Sequence, residues 1–450
     1  MWPTSPTKPA RPVVVQRARA LGGLDRCPVI VDAVRTPFGR RGGVLSGWHP
    51  VDLAAFVIGE VVQLNGIDPV AVDDVVLGCA SQVGAQAGNL ARRAALAAGW
   101  PVSVPGATVD RHAASSAQAV HWAAHAAASG AQDLVVAGGV EMASVVPLGA
   151  PLAQPATGKP FGTRLVERFK AGGGLLPPGL VAEELARRWE LSRERLDNWA
   201  VCSTERAVLA QRSRPAHILP TPLPAKSPSG AAAGTGPAGK AGARRAAGTD
   251  LAAAPRAGAA RGRRAAPGLL TRDEALAKPA TAENLRRLRP MFQEGGLVTA
   301  GNMAAEGDGC AAVVVASEAA ALVRGLQPRA RFVSFASAGG APDVWPMAAA
   351  AASQAALARA GVRAVDVDAW FVHESSAAAV LAWSREVRAP LDLVNPDGGA
   401  LGTGSPVGAA GAAMFASAVG ALAAGAARLA LVAAAGEGGV GTACLLGCYE

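Results

Sequence analysis

The chain has 450 residues, half of them hydrophobic, with six cysteines, six histidines and a formal net charge of +9. That length predicts two or three domains with a large core, and the long apolar runs are mostly alanine and glycine, which argues against a membrane span. The cysteines and histidines show neither a metal-binding spacing nor a disulfide framework, so we expect no metal site and a reducing, cytoplasmic location.

The positive charge is concentrated in two segments. Residues 1–26 carry five basic residues and one acidic residue, and the stretch from Lys226 to Arg264 carries eight basic residues and one acidic residue. The rest of the chain is close to neutral, so we expect no nucleic-acid partner. Residues 225–268 contain one large apolar side chain, Leu251, and cannot bury enough surface to order themselves. We therefore predict a disordered leader over 1–26 and a disordered low-complexity insertion over 225–268.

Outside these segments, strand patterns alternate with helix patterns. The predicted elements of the first part, in chain order, are a strand at 27–34, a helix at 50–66, a strand at 73–80, a short strand at 107–109, a helix at 115–130 and a strand at 133–140. This alternation predicts an α/β protein in which helices cover the sheets.

The short strand at 107–109 runs into an elbow of small residues ahead of an alanine-rich helix. Elbows of this type hold a nucleophile at a helix N-terminus, where unpaired backbone N–H groups stabilise a developing anion. The position expected for the nucleophile is Ala113, whose methyl group cannot attack a substrate.

The pattern repeats in the C-terminal part. Residues 66–78 match residues 361–373 without a gap, so that Asp73 coincides with Asp368. Each half then continues into an elbow, an alanine-rich helix and a closing strand. The repeat predicts two βαβ halves related by a pseudo-twofold axis, and chance similarity between alanine-rich segments is the alternative.

Several motifs occur in an order typical of one family. They are VDAVRTPFGRRGG (31–43), TVDRHAASS (108–116), VVAGGVEMAS (135–144), RPMFQEGGLVTAGN (289–302) followed by DGCAAVVVAS (308–317), VNPDGGALGTGSPVGAAGA (394–412) and GEGGVGTA (436–443). With these motifs the chain resembles the thiolase family, the acyl-CoA C-acetyltransferases, and within it the lipid and steroid-chain branch.

The resemblance implies a five-layer αβαβα fold built from two duplicated halves with an inserted loop domain. Residues 27–148 and 296–325 would form the N-terminal half, 149–295 the loop domain, and 326–450 the C-terminal half. It also implies a homodimer, or a heterodimer with another thiolase-like chain, paired through strands of the first half.

The resemblance further implies an active site, residue by residue. The family's acyl-accepting cysteine is matched by Ala113, its activating histidine by Ser405 and its proton-shuttling cysteine by Ala435. The asparagine that helps to hold an oxyanion is matched by His373, and Glu374 keeps the acid that follows. An alanine cannot be acylated, so ordinary thiolysis is not expected.

The family's contacts with coenzyme A are also substituted. Its His-Met pair is matched by Pro177 and Pro178, a serine by Ala304 and an arginine by Ala277. Lys278 lies beside Ala277 and could contact a phosphate as a point charge. A CoA thioester is the expected ligand class, and no cofactor is expected.

Four polar side chains are expected near the old site: His112, His373, Glu374 and Ser405. A serine–histidine pair could supply a nucleophile and its base, and the alternative is that these residues only fill an unused site. Three glycines, Gly404, Gly438 and Gly439, match tight family loops, where turn geometry and ligand contact are both open explanations.

His121 and His125 lie four residues apart on one predicted helix face, the spacing of a metal pair. No third ligand accompanies them, so we interpret both as ordinary partly buried helix residues.

Three functions remain open at this stage. The first is a thiolase-superfamily protein of acyl-CoA and lipid metabolism that acts as a non-catalytic or partner-dependent homologue. The second is an acyltransferase or thioester-processing enzyme with displaced chemistry on Ser405 and His373. The third is a non-enzymatic binding subunit.

Overall fold

The computed structural model describes residues 26–153, 158, 160–170, 175–213, 215–224 and 268–449. The predicted leader and the predicted insertion lie outside these residues, except for Arg26 and Gly268, so their disorder stays a prediction. None of the helices in the described ranges combines the length and apolarity needed to cross a bilayer.

The described chain contains strands of very different length. In chain order they are β1 (Pro28–Arg35), β2 (Gly39–Arg40), β3 (Asp74–Gly78), β4 (Ala107–Val109), β5 (Leu134–Met142), β6 (Thr221–Pro222), β7 (Leu269–Leu270), β8 (Gly307–Ser317), β9 (Ala330–Gly339), β10 (Ala369–Val372), β11 (Leu429–Gly436) and β12 (Val440–Cys448). The predicted strands at 27–34, 73–80, 107–109 and 133–140 are confirmed as β1, β3, β4 and β5.

Helices separate most of these strands. In chain order they are α1 (Pro50–Leu64), α2 (Leu90–Ala97), α3 (Ser115–Ser129), α4 (Thr163–Phe169), α5 (Pro178–Arg188), α6 (Arg193–Ala210), α7 (Ala282–Arg286), α8 (Glu318–Val323), α9 (Ala348–Ala360), α10 (Ala377–Val387), α11 (Ala400–Thr403) and α12 (Ala410–Ala423). The predicted helices at 50–66 and 115–130 are confirmed as α1 and α3. Helix α3 ends where Gly130 adopts a left-handed φ of 76°, which favours glycine.

The strands of each half form a sheet, and the two sheets are joined. The hydrogen-bonded order is β10-β11-β12-β9-β1-β8-β5-β3-β4, with β2 paired to β8, while β6 and β7 pair separately. The joint between the halves is short, since only Val29 and Ile30 of β1 pair with Arg331 and Ala330 of β9.

The helices and sheets form five layers, which are held together by three hydrophobic clusters. One cluster packs α1 and α2 against the outer face of the first sheet, and another packs α9 and α10 against the outer face of the second. The third fills the middle layer, where α3 and α12 lie between the sheets. The two central helices cross closely, because a Cβ at Gly411 would lie 2.4 Å from the backbone nitrogen of Ala117. The predicted αβαβα fold is confirmed.

The duplication is visible in matching hydrogen bonds. Asp73 precedes β3, and its carboxylate accepts bonds from two backbone N–H groups at the start of β5, with 2.9 Å to Leu134. Asp368 precedes β10 and does the same at the start of β11, with 3.0 Å to Leu429. The aspartates that coincide in the sequence therefore do the same structural work in both halves.

The segment between β5 and β8 carries α4 to α7 and returns to the core through a buried ion pair. The guanidinium of Arg35, at the end of β1, donates two hydrogen bonds to Asp273, at 2.7 and 2.9 Å. Asp273 also accepts from the backbone N–H of Phe38 at 2.6 Å. This contact fixes the segment against the first half.

Candidate active site

The elbow at residues 110–115 is held by its own side chains. The backbone N–H of Arg111 donates to Ser115 Oγ at 2.8 Å, and that of His112 donates to Asp110 Oδ1 at 2.8 Å. His112 adopts a φ of 49°, a left-handed conformation that a side chain rarely takes. The turn therefore keeps the shape of a nucleophile elbow, but the side chain that it presents is the methyl group of Ala113, which is 4% exposed.

Strand ends from both halves contact this elbow. A Cβ at Gly436, the last residue of β11, would lie 2.2 Å from the carbonyl oxygen of Arg111. A Cβ at Gly78, the last residue of β3, would lie 2.4 Å from the backbone nitrogen of Ser116. The backbone thus brings Ala435, the neighbour of Gly436, to the same place as the elbow, as the resemblance implies.

Ser405 and His373 form the polar part of the site. His373 Nε2 lies 3.0 Å from Ser405 Oγ. Ser405 is 4% exposed, and its backbone is fixed by bonds with the segment before β8, including 2.8 Å from its N–H to the carbonyl of Ala305. Burial lowers the pKa of His373 to about 4, so its imidazole is neutral at pH 7. The predicted serine–histidine pair is thus a direct contact.

Glu374 is fully buried and belongs to the framework of the site. Its two oxygens accept from Trp199, Ser203, Asn395 and the backbone of Leu401, at 2.7 to 3.2 Å. Burial raises the pKa of its carboxyl group, and these hydrogen bonds oppose that rise. Because its acceptor sites are occupied by protein donors, Glu374 positions α6, α11 and the end of β10.

The loop of Ser405 is tied to the first half through Glu141. This buried carboxylate on β5 accepts from the backbone N–H of Gly408 at 3.0 Å. The approach is close, since a Cβ at Gly139 would lie 2.2 Å from the carbonyl oxygen of Gly408. The position of the Ser405 loop is therefore set by backbone contact between the halves.

The three predicted loop glycines differ in what they do. Gly404, Gly438 and Gly439 all adopt left-handed φ values, between 82° and 85°. A Cβ at Gly439 would lie 2.1 Å from the carbonyl oxygen of Gly340, whereas one at Gly438 would meet nothing within 4 Å. Turn geometry and backbone packing account for these glycines without a ligand.

The positions matched to CoA contacts offer little that could hold a ligand. Pro177 is exposed at the start of α5, and Lys278 is exposed after a helical turn at 274–277. Ala304 is half-buried, and its N–H donates to the carbonyl of Ser375 at 3.2 Å. Of these positions, Lys278 alone offers a charge.

His121 and His125 both pack against the ring of Phe335. His121 is buried with its ring centroid 5.6 Å from that of Phe335, and His125 is exposed with its centroid 4.7 Å from the same ring. Across the described part of the chain, no group of three or more His, Cys, Asp or Glu residues could hold a metal ion. The sequence predicted that both histidines are partly buried. In the structure His121 is fully buried and His125 is exposed.

Two cavities meet at His373. The smaller one has about 240 Å³ of empty space and is lined by Ala435, Ser375 and two tryptophans, Trp345 and Trp383. The larger one has about 660 Å³, including its open mouth, and reaches Ser405. Ala113 lines neither cavity.

The larger cavity also contains polar residues that the sequence analysis did not identify: Arg35, Gln211, His217 and Asp397. Asp397 stands in the quoted NPDGGA stretch, so an acid between glycine-rich turns was a usable signal. Arg35 stands in the quoted motif at 31–43, but nothing in that motif connects it with Asp397, and His217 lies in none of the quoted motifs.

The geometry defines what the site can do. Alanine occupies both Ala113 at the elbow and Ala435 near the end of β11, so neither position offers a thiol. Ser405 and His373 form a polar pair at the contact distance of a nucleophile and its base.

Comparison with known proteins identifies relatives of the chain. The thiolase N-terminal domain family matches residues 28–233 and 259–319, and the thiolase C-terminal domain family matches 326–447. A steroid 3-ketoacyl-CoA thiolase of Mycobacterium tuberculosis is 34% identical over 401 residues, which are 87% of each chain. A beta-ketoadipyl-CoA thiolase of Escherichia coli is 35% identical over 401 residues, 85% of this chain and 90% of its own.

A solved structure also matches the fold of this chain. The crystal structure of the Bacillus anthracis acetyl-CoA acetyltransferase matches with a TM-score of 0.77 and 31% identity, over 94% of this chain and 99% of that one. Together with the five layers, the duplicated halves and the matching elbow, these similarities establish that the chain belongs to the thiolase family, a superfamily of acyl-CoA metabolism.

Proposed function

We propose that this chain does not catalyse thiolysis or Claisen condensation, and that it acts as a non-catalytic or partner-dependent homologue in acyl-CoA and lipid metabolism. The observation that carries the proposal is the methyl group of Ala113 in an otherwise intact elbow. Thiolysis needs a sulfur that attacks a thioester and later leaves, and no change in a neighbouring pKa can supply one.

The rest of the set supports the same proposal. Ser405 replaces the imidazole that would activate a thiol, and Ala435 replaces the thiol that would move the α-proton. Oxyanion stabilisation is ordinarily worth about a hundredfold to a thousandfold, but it acts on a tetrahedral intermediate that cannot form at Ala113.

The ligand that we propose is a CoA thioester, since the relatives are named for 3-ketoacyl-CoA and related thioesters. Its hold on the chain is expected to be weak, because Pro177, Ala277 and Ala304 offer no charge or side-chain hydrogen bond. Isothermal titration with acetyl-CoA, compared between the wild type and Lys278→Ala, measures the contribution of that cation.

The direct test is a steady-state assay of acetoacetyl-CoA thiolysis, followed by the absorbance of its magnesium complex. About one turnover per second is ordinary for enzymes, and we expect less than about a hundredth of that rate. A triple variant, Ala113→Cys with Ser405→His and Ala435→Cys, should recover at most trace activity, because CoA remains poorly held. CoA-dependent turnover by the wild type above that limit contradicts the proposal.

We further propose that the chain pairs with a second copy or with an active thiolase-like chain through the first-half sheet. Strand β4 stands at the end of the hydrogen-bonded strand order, so one of its edges has no strand partner in the described part of the chain. Such an edge is prone to aggregation when it is left bare. Light scattering at micromolar concentration should give a dimer, and a monomer would contradict this pairing.

A second candidate function rests on the 3.0 Å contact between His373 and Ser405. In this alternative, His373 Nε2 takes the hydroxyl proton as Ser405 Oγ attacks a thioester carbonyl. The CoA thiolate leaves and receives that proton, and water then hydrolyses the acyl-serine. The low pKa of His373 keeps the base form present at pH 7 but makes it a weak base.

Release of CoA from acetyl-CoA, detected with a thiol reagent, separates the two candidates. Displaced catalysis predicts a rate that Ser405→Ala abolishes and that is lost below about pH 4, where His373 becomes protonated. Ser334→Ala is the matched control, since Ser334 is also buried and donates to a backbone carbonyl, that of Ala356, at 2.7 Å. No release above the uncatalysed rate supports the inert protein.

A further inference from the structure

The larger cavity lies where the end of α6, the loop before α11 and the start of α12 meet. It encloses about 660 Å³ with its open mouth, and we name it the Asp397 cavity. His373 and Ser405 reach it, but Ala113 and Ala435 do not. The Asp397 cavity therefore shares Ser405 and His373 with the candidate active site but does not include the elbow position Ala113.

Most of the wall is apolar. Rings, methyl groups and a thioether line it, from Phe38, Ile218, Phe371, Ala413 and Met414. A wall of this kind favours a ligand with an apolar body, and the few polar groups in it set the ligand's orientation.

Asp397 is the acid in this wall that lacks a protein partner. Within the described residues its carboxylate makes neither a hydrogen bond nor an ion pair. Burial raises the pKa of Asp397, and the positive charge of Arg35 opposes that rise. The other lining acid, Glu374, already accepts four hydrogen bonds.

Among the described residues, the charged groups that line the cavity leave a negative balance. Arg35 is compensated by its two hydrogen bonds to Asp273. Burial lowers the pKa of His217 to about 3 and that of His373 to about 4, so both rings are neutral at pH 7. An anionic ligand would lie beside the carboxyl groups of Asp397 and Glu374, whereas a cation would stabilise the ionised form of Asp397.

We propose that the Asp397 cavity binds a compact primary ammonium compound with an apolar body. The ammonium group donates to the carboxylate of Asp397, and the apolar body packs against Phe371 and Met414. The neutral ring of His217 lies in the same wall and offers an acceptor for a second N–H. This site goes beyond the proposed function and does not depend on any thioester chemistry.

The test compares three probes of equal shape and different charge: benzylamine, benzyl alcohol and benzoate. Isothermal titration of the full chain at pH 7 should show that benzylamine binds most tightly. Benzyl alcohol should bind about tenfold more weakly or worse, because a hydrogen bond to a charged group contributes more than one to a neutral group. Benzoate should not bind measurably. Equal affinity for benzylamine and benzoate overturns the proposal without any variant.

Variants locate the site. Asp397→Asn keeps the side-chain shape and should weaken benzylamine about tenfold or more while leaving benzyl alcohol nearly unchanged. Asp392→Asn is the matched control, because Asp392 is an exposed acid on the same loop, and it should change the affinity by less than about twofold. Ala413→Leu should fill the cavity and remove binding of all probes. Unchanged benzylamine affinity in Asp397→Asn overturns the proposal.

Discussion

The N-terminal and C-terminal halves are alike in backbone and different in chemistry. Before β3 and before β10, an aspartate accepts two backbone N–H groups at distances that agree within about 0.2 Å. At the elbow, however, the first half presents the methyl group of Ala113, while the second half brings His373 to 3.0 Å from Ser405.

This difference separates the residues that hold the fold from the residues that carry out a reaction. The scaffold depends on carboxylate caps and on glycines where backbone meets backbone, and these contacts are present in both halves. The reaction depends on a few side chains that contribute little to the scaffold. The fold can therefore persist when the reactive side chains are replaced, and the predictions below test that separation.

The largest effect is expected where both halves contact the elbow. Gly436→Ala places a methyl group 2.2 Å from a backbone oxygen that cannot move independently, so we expect a loss of about 3 kcal/mol or more in the free energy of unfolding. The matched control is Gly59→Ala in α1, where a Cβ meets nothing within 4 Å and should stabilise the helix by about 0.5–1 kcal/mol. Urea denaturation measures both, and equal midpoints would show that the contact is not tight.

The central helices differ in titratable groups, since α3 carries buried His121 and α12 carries none. Burial lowers the pKa of His121 to about 3 from an ordinary value of 6.5. Between those values the unfolded chain binds a proton that the folded chain does not, so stability is complete above pH 6.5 and falls toward pH 3. From pH 7 to pH 5 the loss attributable to His121 is about 2 kcal/mol.

Denaturation at both pH values in His121→Leu isolates that contribution. The variant should show a smaller loss between pH 7 and pH 5 than the wild type. Val120→Ala, which removes buried carbon from the same helix, should lower stability at both pH values and keep the wild-type difference. An unchanged difference in His121→Leu would assign the pH dependence to other groups.

Replacing either of the two capping aspartates, Asp73 or Asp368, should lower the free energy of unfolding by the same amount. Asp73→Ala and Asp368→Ala each leave two backbone N–H groups without their carboxylate, and because both residues are exposed, water replaces part of the loss. We expect about 1 kcal/mol for each substitution, equal within about 0.5 kcal/mol. A clear difference between the two variants in the shift of the melting temperature would show that one half tolerates the loss better. It would contradict the view that the two aspartates are equivalent.

The smallest effect is expected for the polar pair. A double-mutant cycle with Ser405→Ala and His373→Ala should give a coupling energy of about 0.5–1 kcal/mol, the value of one hydrogen bond between neutral groups. A coupling near zero would mean that the two groups prefer water in solution, which would also weaken the second candidate function.

Much of this architecture could be predicted from the sequence alone. Asp73 and Asp368 coincided in a gap-free repeat, and the structure gives them the same bonds. Ser405 and His373 were expected to be near each other, and they are in contact. The Asp397 cavity was not anticipated, because Arg35, His217 and Asp397 come from three segments that no local pattern connects.

The sequence by itself determined the order of strands and helices, the elbow and the residue types at the matched positions, because these follow from local patterning and from motifs in a fixed order. The tertiary structure decided which of those residues meet. It placed β11 against the elbow through Gly436, and it buried His373 enough to lower its pKa. Among the described residues, it left the carboxylate of Asp397 without a hydrogen bond or ion pair in the wall of a cavity. Burial and charge pairing depend on what the rest of the chain places nearby, which no single segment encodes.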